Sequence, residues 1–200
     1  LKNLAISYAY KDVFQYQNIK NPEVLEKLLK ALALQVGNEV SYNELAGLIG
    51  ISRQTVENYI QLLEKAFIIF RLGPFSRNLR NELKKMRKIY FYDTGIRNAL
   101  INNFNPLDLR TDTGSLWENF MISERIKYNN NQGLDKSIYF WRTLQKQELD
   151  YVEENGGKLS AFEFKWKKDL FKGSKAFLDA YPGTAIELIN RESYWKFLGQ

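Results

Sequence analysis

Apolar positions along the chain fall first into helical spacing and later into alternation. Leu25, Leu28, Leu29, Leu32 and Val36 recur at helical intervals after Asn21-Pro22, which supplies an N-cap and a proline at the first helical position. Gly37 closes that helix. Ser41 and Glu44 have the spacing of a capping box and open a short helix with Leu45, Leu48 and Ile49 on its inner face. Gly50-Ile51 breaks it, and Ser52 caps another helix in which Val56, Tyr59, Ile60 and Leu63 share a face. The strand-like run Phe67–Leu72 follows, then a long basic loop, then Lys88–Asp93 (KIYFYD). Helix, tight turn, helix and two strands predict a winged helix-turn-helix. The opening segment, Leu1–Ile19, has no start signal of its own and reads as a helix entered partway, as though cut from something longer.

At Asp93-Thr94-Gly95 the chain turns away, and Asn102–Thr113, rich in Asn, Asp, Thr and Pro, reads as a loop. Ser115 starts a helix reaching Tyr128. Alternating strands are predicted at Ser137–Thr143, Glu148–Glu153 and Lys158–Trp166, with Gly156-Gly157 turning between the last two. A helix over Gly173–Tyr181 and a strand over Thr184–Ile189 complete an αβββαβ order. The fold class is therefore α/β (α+β). A helical segment and winged helix span 1–95, a linker 96–113, and a second domain 114–200.

Composition narrows the chemistry. Without cysteine the chain has no disulfides and no thiolate zinc site. Histidine is absent too, which excludes Ser-His-Asp triads and Cys-His dyads and leaves carboxylates, Lys, Arg, Tyr or an oxygen-held metal. No apolar run approaches a membrane span and no signal-peptide pattern opens the chain, so a cytoplasmic protein without a membrane partner is expected. The net charge of +6 is uneven: residues 1–95 hold 14 Lys/Arg against 9 Asp/Glu, residues 96–200 hold 15 against 14. Arg71, Arg77, Arg80, Lys84, Lys85, Arg87 and Lys88 crowd into one stretch with a single acid, Glu82.

These charges bear on partners. With Val56, Tyr59, Ile60 and Leu63 inward, Arg53, Gln54, Glu57, Asn58 and Gln61 face out, and Arg, Gln and Asn are the side chains that read base edges. Arg77, Arg80, Lys84, Lys85, Arg87 and Lys88 would hold phosphates. DNA is the expected partner. Against this stand three plain alternatives: any amphipathic helix has a polar outer face, helix-turn-helix modules also bind proteins, and a basic loop can serve solubility alone.

The later strands carry candidate chemistry. On Lys158–Trp166, Phe162, Phe164 and Trp166 share one face, while Leu159, Ala161, Glu163 and Lys165 share the other. Asp150 points opposite to Leu149 and Tyr151, and a hairpin through Gly156-Gly157 can bring it to Glu163. Two carboxylates and a lysine at one sheet end suit Mg²⁺ or Mn²⁺ chemistry on a phosphodiester, with Lys165 steadying water or developing charge. The bland reading of Glu163 and Lys165 is a surface ion pair. Glu118 lies in the preceding helix as a further acidic ligand, or else as the partner of Ser115 in a capping box. Arg142 and Gln147 are polar neighbours that could touch substrate.

The runs SYNELAGLIGISRQTVENYIQLLEKAFIIFRL, KIYFYDTGIRNAL, GSLWENFMISE, YFWRT, ELDYV and FEFKW together resemble the C-terminal domain of unknown function carried by many bacterial and archaeal AAA+ family ATPases. The likeness covers nearly the whole chain. It implies a winged helix followed by a restriction-endonuclease-like PD-(D/E)xK core. Glu118, Asp150, Glu163 and Lys165 fall on the nuclease positions: Asp150, Glu163 and Lys165 catalytic, Glu118, Asp150 and Glu163 on the metal. Leu149 stands where the motif has proline, and no P-loop motif occurs, so ATP would bind only in a P-loop domain upstream. The function implied is the DNA-binding C-terminal region of an AAA+ type ATPase with a Mg-dependent nuclease site, active or degenerate. The alternative is a non-catalytic DNA- or protein-binding module that targets or regulates the attached ATPase.

Overall fold

The computed structural model describes residues 21–76, 87–167 and 174–199, so the helix expected over Leu1–Ile19 lies outside the described residues. Among the described residues the chain is mixed α/β, with seven α-helices and six strands. It forms two compact units, Leu1–Arg71 with Arg87–Arg110, and Leu72–Met86 with Thr111–Gln200.

The first unit contains α1 (Pro22–Leu34), α2 (Tyr42–Ile49), α3 (Arg53–Lys65), the start of β1 (Ile69–Pro74), β2 (Lys88–Phe91) and α4 (Thr94–Leu100). Leu25, Leu28, Leu29, Leu32 and Val36 are all buried, as their spacing requires. Asn21 makes no side-chain cap, so Pro22 alone marks that helix start. The Ser41 and Ser52 hydroxyls accept from the Glu44 and Thr55 amides, and Gly50 (φ +77) turns the chain between α2 and α3 in a conformation that suits glycine.

Three local expectations change. Leu48 is 71% exposed, because α2 buries the Tyr42, Leu45, Ala46 stripe and Leu48 falls outside it. Phe67 does not begin a strand: at φ +53 it lies just past the Ala66 C-cap of α3, and β1 starts at Ile69. The segment read as a linker opens with α4. Asp93 Oδ1 accepts from the Gly95 and Ile96 amides at 2.6 and 3.1 Å, and buried Arg97 donates from Nε to the Ala33 carbonyl at 2.9 Å. A Cβ on Gly95 would lie 2.9 Å from that Asp93 oxygen, so a side chain there would require the Asp93 cap to shift.

The second unit comprises the end of β1, α5 (Thr113–Asn131), β3 (Ser137–Arg142), β4 (Glu148–Asn155), β5 (Lys158–Phe164), α6 (Lys175–Ala180), β6 (Ile186–Ile189) and α7 (Tyr194–Phe197). Gly73 and Pro74 of β1 pair parallel with Tyr139 and Phe140 of β3, β3-β4-β5 are antiparallel, and β6 lies parallel to β5. Gly156 and Gly157, both at positive φ, make the two-residue hairpin turn. Phe75, Trp141, Leu149, Val152, Ala161 and Phe177 form one buried cluster, while Tyr151, Phe162 and Phe164 gather around Phe197.

A buried carboxylate ties these layers together. Glu153 on β4 accepts both arms of Arg125 from α5 (2.7 and 2.9 Å), Lys136 (2.8 Å), Asn129 (2.8 Å) and the Tyr151 hydroxyl (3.2 Å). Arg125 also donates to the Phe197 carbonyl and lies 4.6 Å over that ring. Burial alone would raise the Glu153 pKa, but the bonds from Arg125, Lys136 and Asn129 pull it from 4.5 to about 2. Its stabilising effect is present above about pH 4.5 and is lost as pH falls towards 2. Replacing Glu153 with alanine strands two cations in the protein, and a loss of about 3–5 kcal/mol in chemical unfolding is expected. A loss under 1 kcal/mol would show that water serves those cations as well as the carboxylate does.

Candidate functional site

Two surfaces carry the sequence-selected residues, one in each unit. On α3, Arg53, Gln54, Asn58 and Gln61 are exposed, opposite buried Val56, Ile60 and Leu63, with Tyr59 half-buried. Gln54 Nε2 donates to Asn58 Oδ1 at 3.0 Å, so these two amides are already aligned with each other. Of the basic stretch, Arg77, Arg80, Lys84 and Lys85 lie outside the described residues. Arg87 is half-buried with its guanidinium 4.4 Å over the Tyr42 ring. Lys88 departs from expectation. It is 2% exposed on a strand whose four residues are all buried, so it is not a surface phosphate contact.

In the second unit the expected hairpin joins β4, which carries Asp150, to β5, which carries Glu163. The paired register ends at Tyr151 with Phe162, the residues next to Asp150 and Glu163. On its other edge β4 is irregular: Tyr139 pairs with Val152 and Trp141 with Leu149, so β4 holds one residue more than β3 across Asp150-Tyr151. Leu149 and Val152 accordingly share one buried cluster although three residues apart, and the simple alternation expected around Asp150 does not hold. Such a bulge re-aims a side chain at a sheet end. Asp150 Oδ2 accepts from the Phe164 amide at 2.8 Å, which anchors it across the strand pair.

Asp150, Lys165 and Glu118 line a cleft of about 450 Å³ together with Thr113, Gly114, Ser115, Phe164, Trp166 and Lys167. Ser115 sits inside α5, whose first residue is Thr113 and whose N-cap is Asp112, so the capping-box reading of Glu118 falls away. Glu163 is buried, with Oε1 2.7 Å from the Lys165 ammonium and Oε2 without a hydrogen-bond partner. Burial pushes the Glu163 pKa up, Lys165 opposes, and the charges of Glu118 and Glu148 add to the rise. Burial works to lower the Lys165 pKa, but Glu163, Asp150 and Glu118 together raise it, which keeps the ammonium charged.

The donor set is all oxygen, the kind that Mg²⁺ or Mn²⁺ takes, and the unpaired Glu163 oxygen is a donor left open. Among the described residues no three acidic side chains stand close enough to form a ready-made cage. Lys165 holds the oxygen beside the open one.

Sequence reasoning missed Lys167 and Trp166 as lining residues and Glu148 as a charge acting on Glu163. Glu148 lies two residues before Asp150, a signal that was visible, but the bulge that sets its surroundings was not. Arg142 and Gln147 are engaged locally, Arg142 with Glu148 at 3.3 Å and Gln147 with the Ser174 hydroxyl at 3.4 Å.

Comparison with known proteins places the chain. Residues 1–107 match the model of a domain of unknown function, DUF8612. The chain belongs to the DUF8612 family. Residues 113–193 of this DUF8612 chain match a second domain of unknown function, DUF4143, a family commonly associated with AAA-type ATPases. An uncharacterized protein of Mycobacterium tuberculosis is 29% identical over 136 residues, 67% of this chain and 30% of the relative. Two uncharacterized proteins of Methanocaldococcus jannaschii are 30% identical over 112 residues (54% of this chain, 23% of the relative) and 26% over 159 (76% and 33%). The chain thus spans about a third or less of these relatives. No solved structure matches it.

The raised pKa of Glu163 means that burial, together with the charges of Glu118 and Glu148, costs its charge more than Lys165 returns. Glu163→Gln, of the same shape and uncharged, is therefore expected to melt above the wild type in metal-free neutral buffer. A lower melting temperature would mean that the ion pair, not desolvation, dominates.

Proposed function

We propose that this chain is the nucleic-acid-handling part of a longer protein that also carries an ATPase. A winged helix would dock DNA and a PD-(D/E)xK-like core would hydrolyse a phosphodiester. The observation that carries this reading is the cleft itself, where Glu118, Asp150 and Lys165 share one concavity and Glu163 bonds Lys165 beside it. The element order α5-β3-β4-β5-α6-β6 supports the core assignment, and the serine-capped helices, the Gly50 turn and the strands that follow support the winged helix. The DUF4143 match supports the attached ATPase.

Glu118, Asp150 and Glu163 would hold a Mg²⁺ or Mn²⁺ ion, which when bound supplies Lewis acidity to the phosphate and lowers the pKa of water. Lys165, kept charged by its acidic neighbours, sits where it can orient the attacking water and offset charge growing on the phosphoryl oxygens. Water adds to phosphorus, the ester P–O bond breaks, and the leaving oxygen takes a proton to give a hydroxyl end and a phosphate monoester end. Arg53, Gln54, Asn58 and Gln61 are the surface offered to base edges.

One observation favours a second reading. Because the described acids are not gathered into a cage, the same surfaces would also suit a non-catalytic module that targets the ATPase.

Incubation with single- and double-stranded DNA in Mg²⁺ or Mn²⁺ separates the two. Cutting is expected from the wild type, with a loss of about a hundredfold or more in Asp150→Ala and in Glu163→Ala. Cutting retained in both variants would contradict the assignment, and binding without cutting by the wild type would establish the second reading. Arg53→Ala should weaken DNA binding about tenfold and reduce its salt dependence. Unchanged affinity would remove α3 from the interface.

A further inference from the structure

Trp166 follows Lys165 and stands half-buried on the wall of the cleft. Its ring is held edge-on by Trp117, with centroids 5.3 Å apart and planes at 70°, and Trp117 is itself braced edge-on by Tyr194 at 5.6 Å. The exposed Arg191 guanidinium lies over the Trp166 ring, 5.4 Å from its centroid, and the exposed Lys167 lines the same cleft. The Trp117 indole N–H beside this stack is buried without a hydrogen-bond partner, a donor left open at a cost that buried donors seldom bear.

None of these groups is used by the carboxylate chemistry. A rigid indole at the edge of a polar cleft, with a guanidinium over its ring and Lys167 lining the same cleft, matches one kind of ligand closely. A flat base can stack on the ring while the phosphates on either side meet the cations. In an intact duplex the bases are stacked on one another and cannot reach such a wall.

We propose that Trp166 is a stacking platform for an unpaired nucleobase, with Arg191 and Lys167 on the flanking phosphates, so that the cleft takes single strands or frayed ends in preference to duplex. The proposal rests on the cleft being a phosphodiester site and names its substrate class.

Binding in chelator, where cutting is silent, tests it. Fluorescence anisotropy of the intact chain would be read with labelled oligothymidylate, oligouridylate and a blunt hairpin duplex. The wild type is expected to prefer the single strands. Trp166→Ala should weaken them about tenfold and leave the duplex unchanged, while Trp166→Phe keeps most of the affinity. Arg191→Ala, outside the packed interior, should weaken them about threefold even if Trp166→Ala folds poorly. The thymidylate and uridylate arms tell a DNA strand from an RNA strand. Single-strand binding by Trp166→Ala and Arg191→Ala equal to wild type would overturn the stacking role while leaving the cleft reading intact. No binding of any nucleic acid by the wild type would overturn both.

Discussion

Holding one buried charge on Glu153 is the constraint on which the second unit depends. The carboxylate lies 3% exposed within the sheet and is sustained by five hydrogen bonds, from Arg125, Lys136, Asn129 and Tyr151. Because Arg125 and Asn129 belong to α5 and Glu153 to β4, the cluster fixes that helix in rotation and in height against the strand. Glu118 lies two helical turns before Arg125 on a similar face, and Asp150 lies three residues before Glu153. Arg125 also bonds the Phe197 carbonyl, which draws the short α7 onto the same layer and buries Phe197 among Tyr151, Phe162 and Phe164.

The two carboxylate centres are built on opposite principles. Glu153 is fully partnered and stabilised as an anion. Glu163 is buried, has one oxygen unpaired, and is held above its ordinary pKa. The first behaves as structure: every lone-pair direction is used and nothing is available to a ligand. The second carries strain that the fold tolerates, of the kind that sites keep for chemistry. Residues 1–107 match one domain of unknown function and residues 113–193 are similar to a second. Within the second part, these two glutamates differ in partnering and in the direction of their pKa shift.

Much of this was legible in the sequence, because local signals were strong where packing agreed with them. The serine caps, the Gly50 turn, the Gly156-Gly157 hairpin and the buried face of α3 followed from spacing alone. The antiparallel pairing of β4 with β5 followed from the hairpin length. Other features depend on contacts far along the chain. Asp93-Thr94-Gly95 can make a turn or cap a helix, and the buried Arg97–Ala33 bond favours the helix. Lys88 reads as surface from its charge, yet it lies on a strand buried throughout. The bulge at Asp150-Tyr151 leaves no mark in composition, since it arises from the mismatch between β3 and β4.

The central claim is that the cleft's carboxylates work together on a cation. Calorimetric titration of the chain with Mn²⁺ measures this directly, without substrate or cutting. One ion is predicted to bind to the wild type, with binding weakened at least about tenfold in both Asp150→Asn and Glu163→Gln. Binding that survives both substitutions, or no binding at millimolar Mn²⁺ by the wild type, would contradict the claim.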